Sequence, residues 1–135
     1  MSHHTRGAKA APRPIADAVA TVPRPPADMS KEAREEWRRV MPVLVERRAL
    51  SQADMGAVER YCEATGDVKI ARARIKTDGD YVPNRLGELK RHPAFTTLRE
   101  SASEARRWAA ELGLTPASRS RVAEGDADGG DSLLD

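Results

Sequence analysis

The chain has 135 residues, enough for one domain, with a net charge of +2 and only 39% hydrophobic residues. Of its 53 hydrophobic residues 22 are alanine, and Leu, Ile, Val and Phe together number only 22, so one chain buries a thin core and subunit association is the expected source of further burial. No apolar run approaches the roughly 20 residues of a membrane span, the start Met1 to Arg6 lacks the apolar core of a secretion signal, and the lone Cys62 excludes an internal disulfide, which together point to a protein of the cytoplasm.

Residues 1–28 contain Pro12, Pro14, Pro23, Pro25 and Pro26, five of the nine prolines. Such a Pro- and Ala-rich stretch reads as a disordered or extended arm. Its cations Arg6, Lys9, Arg13 and Arg24 can touch phosphates or merely decorate a tether. The body follows, over residues 29–122.

Ser30 is a good N-cap, and Glu32, Glu35 and Glu36 favour the positive end of the helix it opens. Trp37, Val40, Met41, Leu44 and Val45 form one apolar stripe. Pro42 lies within it and predicts a kink or break. A turn through Arg47 to Leu50 leads to Ser51, which caps a second helix with Asp54 as its capping-box partner. Ala57, Val58, Tyr61, Ala64, Val68, Ala71 and Ile75 are its apolar positions, and Gly79 ends it. Tyr81 to Arg91 can turn a small β-hairpin, with Asn84 to Gly87 at its turn. The third helix starts near Pro93 and stops at Gly113. Phe95, Leu98, Ala102, Ala105, Ala109 and Leu112 recur along it at heptad-like spacing, with small residues that permit close approach. This seam, with Trp37, is the expected subunit interface, and Trp108 lies off it. The fold class is thus mainly all-α: a long antiparallel helical hairpin, an Ala-rich third helix and a small β-hairpin, assembling with further copies.

Charge is unevenly spread. Residues 123–135 carry five acids and no Lys or Arg, leaving residues 1–122 with a net charge of +7. A basic body with a flexible acidic tail suits a polyanion partner for the body and a separate partner for the tail. The DNA-contact candidates are Lys69, Arg72, Arg74, Lys76, Arg85, Lys90 and Arg91, with Arg119 and Arg121 beyond the third helix. Part of the cluster at the end of the second helix also has a structural explanation, since cations there favour the negative helix terminus. In the tail, Leu133 and Leu134 stand among acids and make a candidate docking element that orders on binding.

Signatures of catalysis are missing. The sequence has no GxxxxGK[ST] phosphate loop, no HExxH, no CxxC and no EF-hand loop. His3 and His4 lack a third ligand, so no metal and no cofactor is expected. Cys62 reads as a small buried apolar residue, and His92 has no Ser or Cys partner in view.

The order of features resembles the small subunit of tailed-phage terminases. The matching pieces are SKEAREEW (Ser30–Trp37) with Val40-Met41-Pro42, the link ERRALSQAD (Glu46–Asp54), Tyr61-Cys62-Glu63 with the basic helix end that follows, and GLTPASRSR (Gly113–Arg121) after a long Ala-rich helix. Leu114 to Arg119 is the most specific of them, while Tyr81 to Arg91 matches poorly. The resemblance implies a non-enzymatic subunit that forms rings in the host cytoplasm and binds the packaging-initiation region of double-stranded phage DNA. It also implies recruitment and regulation of a large subunit that carries the ATPase and nuclease. Two other readings stay open: a helix-turn-helix regulator built on the turn Arg47–Ser51, and a helical assembly protein that binds no DNA.

Overall fold

The structure, a computed structural model, describes residues 15–121. Its elements in chain order are α1 (Lys31–Glu46), a short 3-10 turn (Gln52–Asp54), α2 (Met55–Asp78), β1 (Tyr81–Pro83), β2 (Leu89–Arg91) and α3 (Ala94–Glu111). A last helical turn covers residues 116–121. The mainly helical class and the small β-hairpin agree with the expectation from sequence.

Local chemistry sets the boundaries. The Ser30 hydroxyl accepts from the Ala33 N–H at 3.1 Å and opens α1. The Asp54 carboxylate accepts from the Ser51 N–H at 2.8 Å and from its hydroxyl at 3.1 Å, which fixes the entry to α2. α3 ends in a Schellman motif: the Leu114 N–H bonds the Ala109 carbonyl at 2.8 Å, and Gly113 takes φ +68°. α1 ends in the same way, with the Ala49 N–H on the Leu44 carbonyl at 3.1 Å. Its left-handed residue, however, is Arg48, at φ +52°. α1 runs as one helix through Pro42, so of the expected kink or break the break does not occur. Pro42 is exposed, so the ring and the carbonyl it leaves unbonded sit on the solvent side.

α1 folds back along the first half of α2. Ala33 meets Gly66 so closely that a Cβ on the glycine would lie 2.8 Å from the Ala33 nitrogen. α3 then runs antiparallel to α2, with His92 against Asp78 at one end and the Leu112 to Leu114 region against the core at the other. The core is Trp37, Val40, Met41 and Leu44 of α1 against Val58, Tyr61 and Cys62 of α2, closed by Leu50, Val19 and Met29.

Residues 15–30 form no helix or strand, in keeping with their prolines, yet they pack. The Val19 N–H donates to the Leu50 carbonyl at 2.7 Å, the Ile15 N–H to Arg48 at 3.2 Å, and Val19 and Met29 are buried. The Trp37 indole N–H donates to the Pro23 carbonyl at 3.0 Å. Trp37 is only 2% exposed within the single chain, so this residue, expected at a subunit interface, is instead satisfied inside one protomer.

The expected seam on α3 is met in part. Ala94 is buried, and Phe95, Leu98, Ser101, Ala105, Trp108, Ala109 and Leu112 are half-buried, so of the expected seam only Ala102 is exposed. Trp108, Ala109 and Leu112 pack on the core of their own chain, so Trp108 belongs to the seam it was expected to miss.

Candidate nucleic-acid interface

The candidate surface lies on the half of the α2–α3 hairpin that α1 does not cover. Beyond Lys69 the one fully buried residue of α2 is Ala71. Ten residues of helix at 1.5 Å each, with the ribbon beyond, make a projection of about 25 Å. The root of this projection is held by a polar cluster between α1 and α2. Buried Glu36 accepts from the Tyr61 hydroxyl at 2.7 Å and from Arg39 Nε at 2.9 Å, with Arg39 Nη2 on its other oxygen. Burial alone pushes the Glu36 carboxyl up; the hydrogen bonds from Arg39 and Tyr61 and the charges of Arg39 and Lys69 outweigh it and hold the group below its ordinary value. Burial and the bond to Glu36 push the Tyr61 phenol up. The bond to Glu36 likewise raises Arg39. Cys62 beside them is pushed up to about 12, first by burial and then by the Glu36 charge, so its thiol stays protonated and unreactive.

On the projection, residues 69–99 carry eight Lys or Arg against three Asp or Glu. Lys69, Arg72 and Lys76 lie three and four residues apart, on one exposed face of α2. Like charges at that spacing weaken a helix, and among the described residues Arg72 and Lys76 have no ion-pair partner to offset this. Lys69 is partly explained by its attraction to Glu36. Arg74 is exposed but turned away, about 200° round the helix from Arg72. Arg85, Lys90 and Arg91 are exposed on the ribbon, and the Arg91 guanidinium lies 3.9 Å over the Phe95 ring. Arg99, which sequence reasoning passed over, is exposed in the second turn of α3 on the same end of the molecule.

Seven of the nine candidate DNA contacts therefore gather at the distal end. Arg119 and Arg121 do not. They sit past the far end of α3, whose 18 residues span about 27 Å. Arg119 is half-buried and packs toward Gly113. Its segment is a capped helix start: the Thr115 hydroxyl accepts from the Ser118 N–H at 3.2 Å, and the Ser118 hydroxyl donates to the Thr115 carbonyl at 2.9 Å. Leu133 and Leu134 lie outside the described residues, as do Arg6, Lys9 and Arg13 of the arm. No group of three His, Cys, Asp or Glu among the described residues is placed to hold a metal ion. No helix among them is long and apolar enough to cross a membrane.

Residues 33–129 match the family described as phage terminase, small subunit, and the chain belongs to that family. Membership gives it a role in phage packaging, within a family of generally non-catalytic subunits. No curated protein and no solved structure matches the chain significantly.

Proposed function

We propose that this chain is the DNA-recognition subunit of a phage packaging machine, and that it grips the packaging-initiation region of duplex DNA with the distal end of its α2–α3 hairpin. The observation that supports this is the excess of eight cations over three acids along residues 69–99, on an end of the molecule that buries almost nothing. In a ring of copies several such hairpins engage one duplex, so individually weak phosphate contacts add through effective concentration. Bound in this way, the subunit performs no chemistry. It presents DNA to the large subunit, which supplies ATP hydrolysis and cutting. The acidic tail with Leu133 and Leu134 is the segment proposed to dock that partner, its acids speeding encounter with a basic surface.

The test is binding of the full chain to a 30-base-pair duplex, followed by fluorescence anisotropy across a salt series. With six distal cations on phosphates, Arg74 being turned away, log affinity falls against log salt with a slope of about −5. Absence of binding at low salt, or a flat dependence, refutes the reading. Deleting residues 123–135 is expected to abolish capture of the large subunit while DNA binding persists.

A further inference from the structure

Three large apolar side chains of the ribbon stand in water: Leu86 is 83% exposed, Leu89 73% and Tyr81 58%. The register pairs Tyr81 with Arg91 and Pro83 with Leu89, so Tyr81, Pro83 and Leu89 share one face of the ribbon. That face is exposed along its length. Leu86 stands in the loop, where Asn, Asp, Ser or Gly serve a turn with no apolar exposure.

The loop holds Leu86 rigidly. The Asn84 side-chain oxygen accepts from the Leu86 and Glu88 N–H groups, both at 2.9 Å. The Asn84 N–H donates to the Glu88 carbonyl at 2.8 Å, the Gly87 N–H donates to the Asn84 carbonyl at 3.1 Å, and Gly87 takes φ +80°. This is a three-residue hairpin loop with its left-handed glycine. The stem is fastened as firmly. Arg91 stacks on Phe95, and His92 bonds Asp78 at 2.8 Å and the Ala94 N–H at 3.0 Å. Cations surround the apolar tip: Arg85 precedes Leu86, and Lys90 and Arg91 follow on β2.

We propose that this ribbon is a DNA-bending wedge, in which Leu86 enters between base pairs from the minor groove while Arg85, Lys90 and Arg91 hold the flanking phosphates. The inference rests on the reading of the distal hairpin as the DNA surface, and it adds how the duplex is deformed. An apolar side chain inserted at a base step unstacks it and kinks the helix by roughly 20–90°, and the bend brings more backbone against the protein. Leu89 and Tyr81, on the stem below, meet the groove wall that the wedge opens. The surrounding charge decides between partners: an apolar patch flanked by Arg85, Lys90 and Arg91, which have no ion-pair partner among the described residues, against the single acid Glu88, is complementary to a polyanion that can be opened, not to a neutral protein surface. A flexible pyrimidine–purine step is the preferred entry point, since it unstacks at least cost.

The experiment uses the full chain and a 30-base-pair duplex with a central TA step, labelled at its two ends for energy transfer. Binding of the unaltered chain is expected to raise transfer efficiency, reporting a shortened end-to-end distance. Leu86→Ser is expected to abolish that rise while binding persists, with affinity lowered and the salt slope reduced only by the contacts the bend had brought, because Arg85, Lys90 and Arg91 still hold phosphates. Leu86→Phe is expected to preserve the bend. Circular dichroism is expected to be the same for all three chains, since Leu86 supports no packing. A Leu86→Ser chain that still bends DNA overturns the wedge, as does an unaltered chain that binds without bending; in both cases DNA binding by the hairpin survives. A Leu86→Ser chain that loses self-association in light scattering while still bending DNA assigns the ribbon to a protein contact and also overturns the proposal. Failure of the unaltered chain to bind any duplex instead refutes the DNA surface itself.

Discussion

Replacing Gly66 with alanine sets two effects of known size against each other. In the interior of α2, Gly→Ala gains about 1 kcal/mol of helix propensity. The new Cβ, however, falls 2.8 Å from the Ala33 nitrogen, 3.0 Å from its Cβ and 3.1 Å from its Cα. Two of these three are backbone atoms, and the N–H in question is the one capped by Ser30. Nothing there can rotate aside, so α1 must shift off α2 as a body. Overpacking of this kind costs about 1–3 kcal/mol, and disturbing the cap adds about 1 kcal/mol. The net expectation is a loss of about 1–3 kcal/mol. In thermal unfolding by circular dichroism at fixed protomer concentration, that is a drop of roughly 4–18 °C. Gly56 is the control: it is exposed in the first turn of α2, with nothing within 4 Å of its added Cβ, so Gly56→Ala should leave stability unchanged or raise it. A Gly66→Ala chain that melts at or above the Gly56→Ala chain would refute the close crossing of α1 and α2.

Three further outcomes are expected. Arg48→Gly should stabilise the chain by about 0.5–1 kcal/mol in urea unfolding, because Arg48 holds φ +52° at the end of α1, a conformation that costs L-residues and not glycine. Glu36 has a lowered folded pKa, so its contribution is full above its ordinary value of 4.5 and is lost as pH falls through the folded value. Glu36→Gln should therefore lower stability by about 1–3 kcal/mol at pH 7, with the difference narrowing toward pH 3; an equal deficit at both pH values contradicts the charged cluster. Cys62 is buried, with its thiol pushed up to about 12, so a thiol reagent at pH 8 should label it only as fast as the chain opens and rapidly in denaturant.

Where the sequence carried a local chemical signal, it could be read directly. Ser30, Ser51, Pro93 and Gly113 marked helix ends because capping is decided by one residue and its neighbours. Asn84 and Gly87 marked the hairpin for the same reason. Of the α3 stripe only Ala102 was misread, and Trp108 was left off it, because positions one residue apart differ by only about 100° on a helix, and alanines on both sides give hydrophobicity little to choose between. Trp37 was read in the α1 stripe and also expected at a subunit interface; its partner within the chain, the Pro23 carbonyl, belongs to residues 15–30, whose packing through Val19, Met29 and backbone bonds such as Val19 to Leu50 leaves no periodic trace. The resemblance that identified the family rests on structural positions. Ser30 and Thr115 are caps, Trp37 is core, and Ser118 is buried in its own capping bonds. Only three of the nine candidate DNA residues, Arg85, Lys90 and Arg91, lie in the segment where the resemblance was weakest; the grouping of these with the cations of α2 emerged from the antiparallel course of α2 and α3, which also separated Arg119 and Arg121 from the rest.

The central claim is that DNA is held by the distal hairpin and not by the body at large. Two double charge reversals of equal size separate these: Arg72→Glu with Lys76→Glu on the projection, and Arg38→Glu with Arg47→Glu on the exposed side and end of α1. Each removes four units of positive charge, so long-range attraction falls alike in both. Duplex binding across a salt series should show the distal variant losing affinity and about two units of slope, one for each phosphate contact removed, while the α1 variant keeps the slope of the unaltered chain. Equal losses of slope in the two variants, or an unchanged slope in the distal one, would contradict the account.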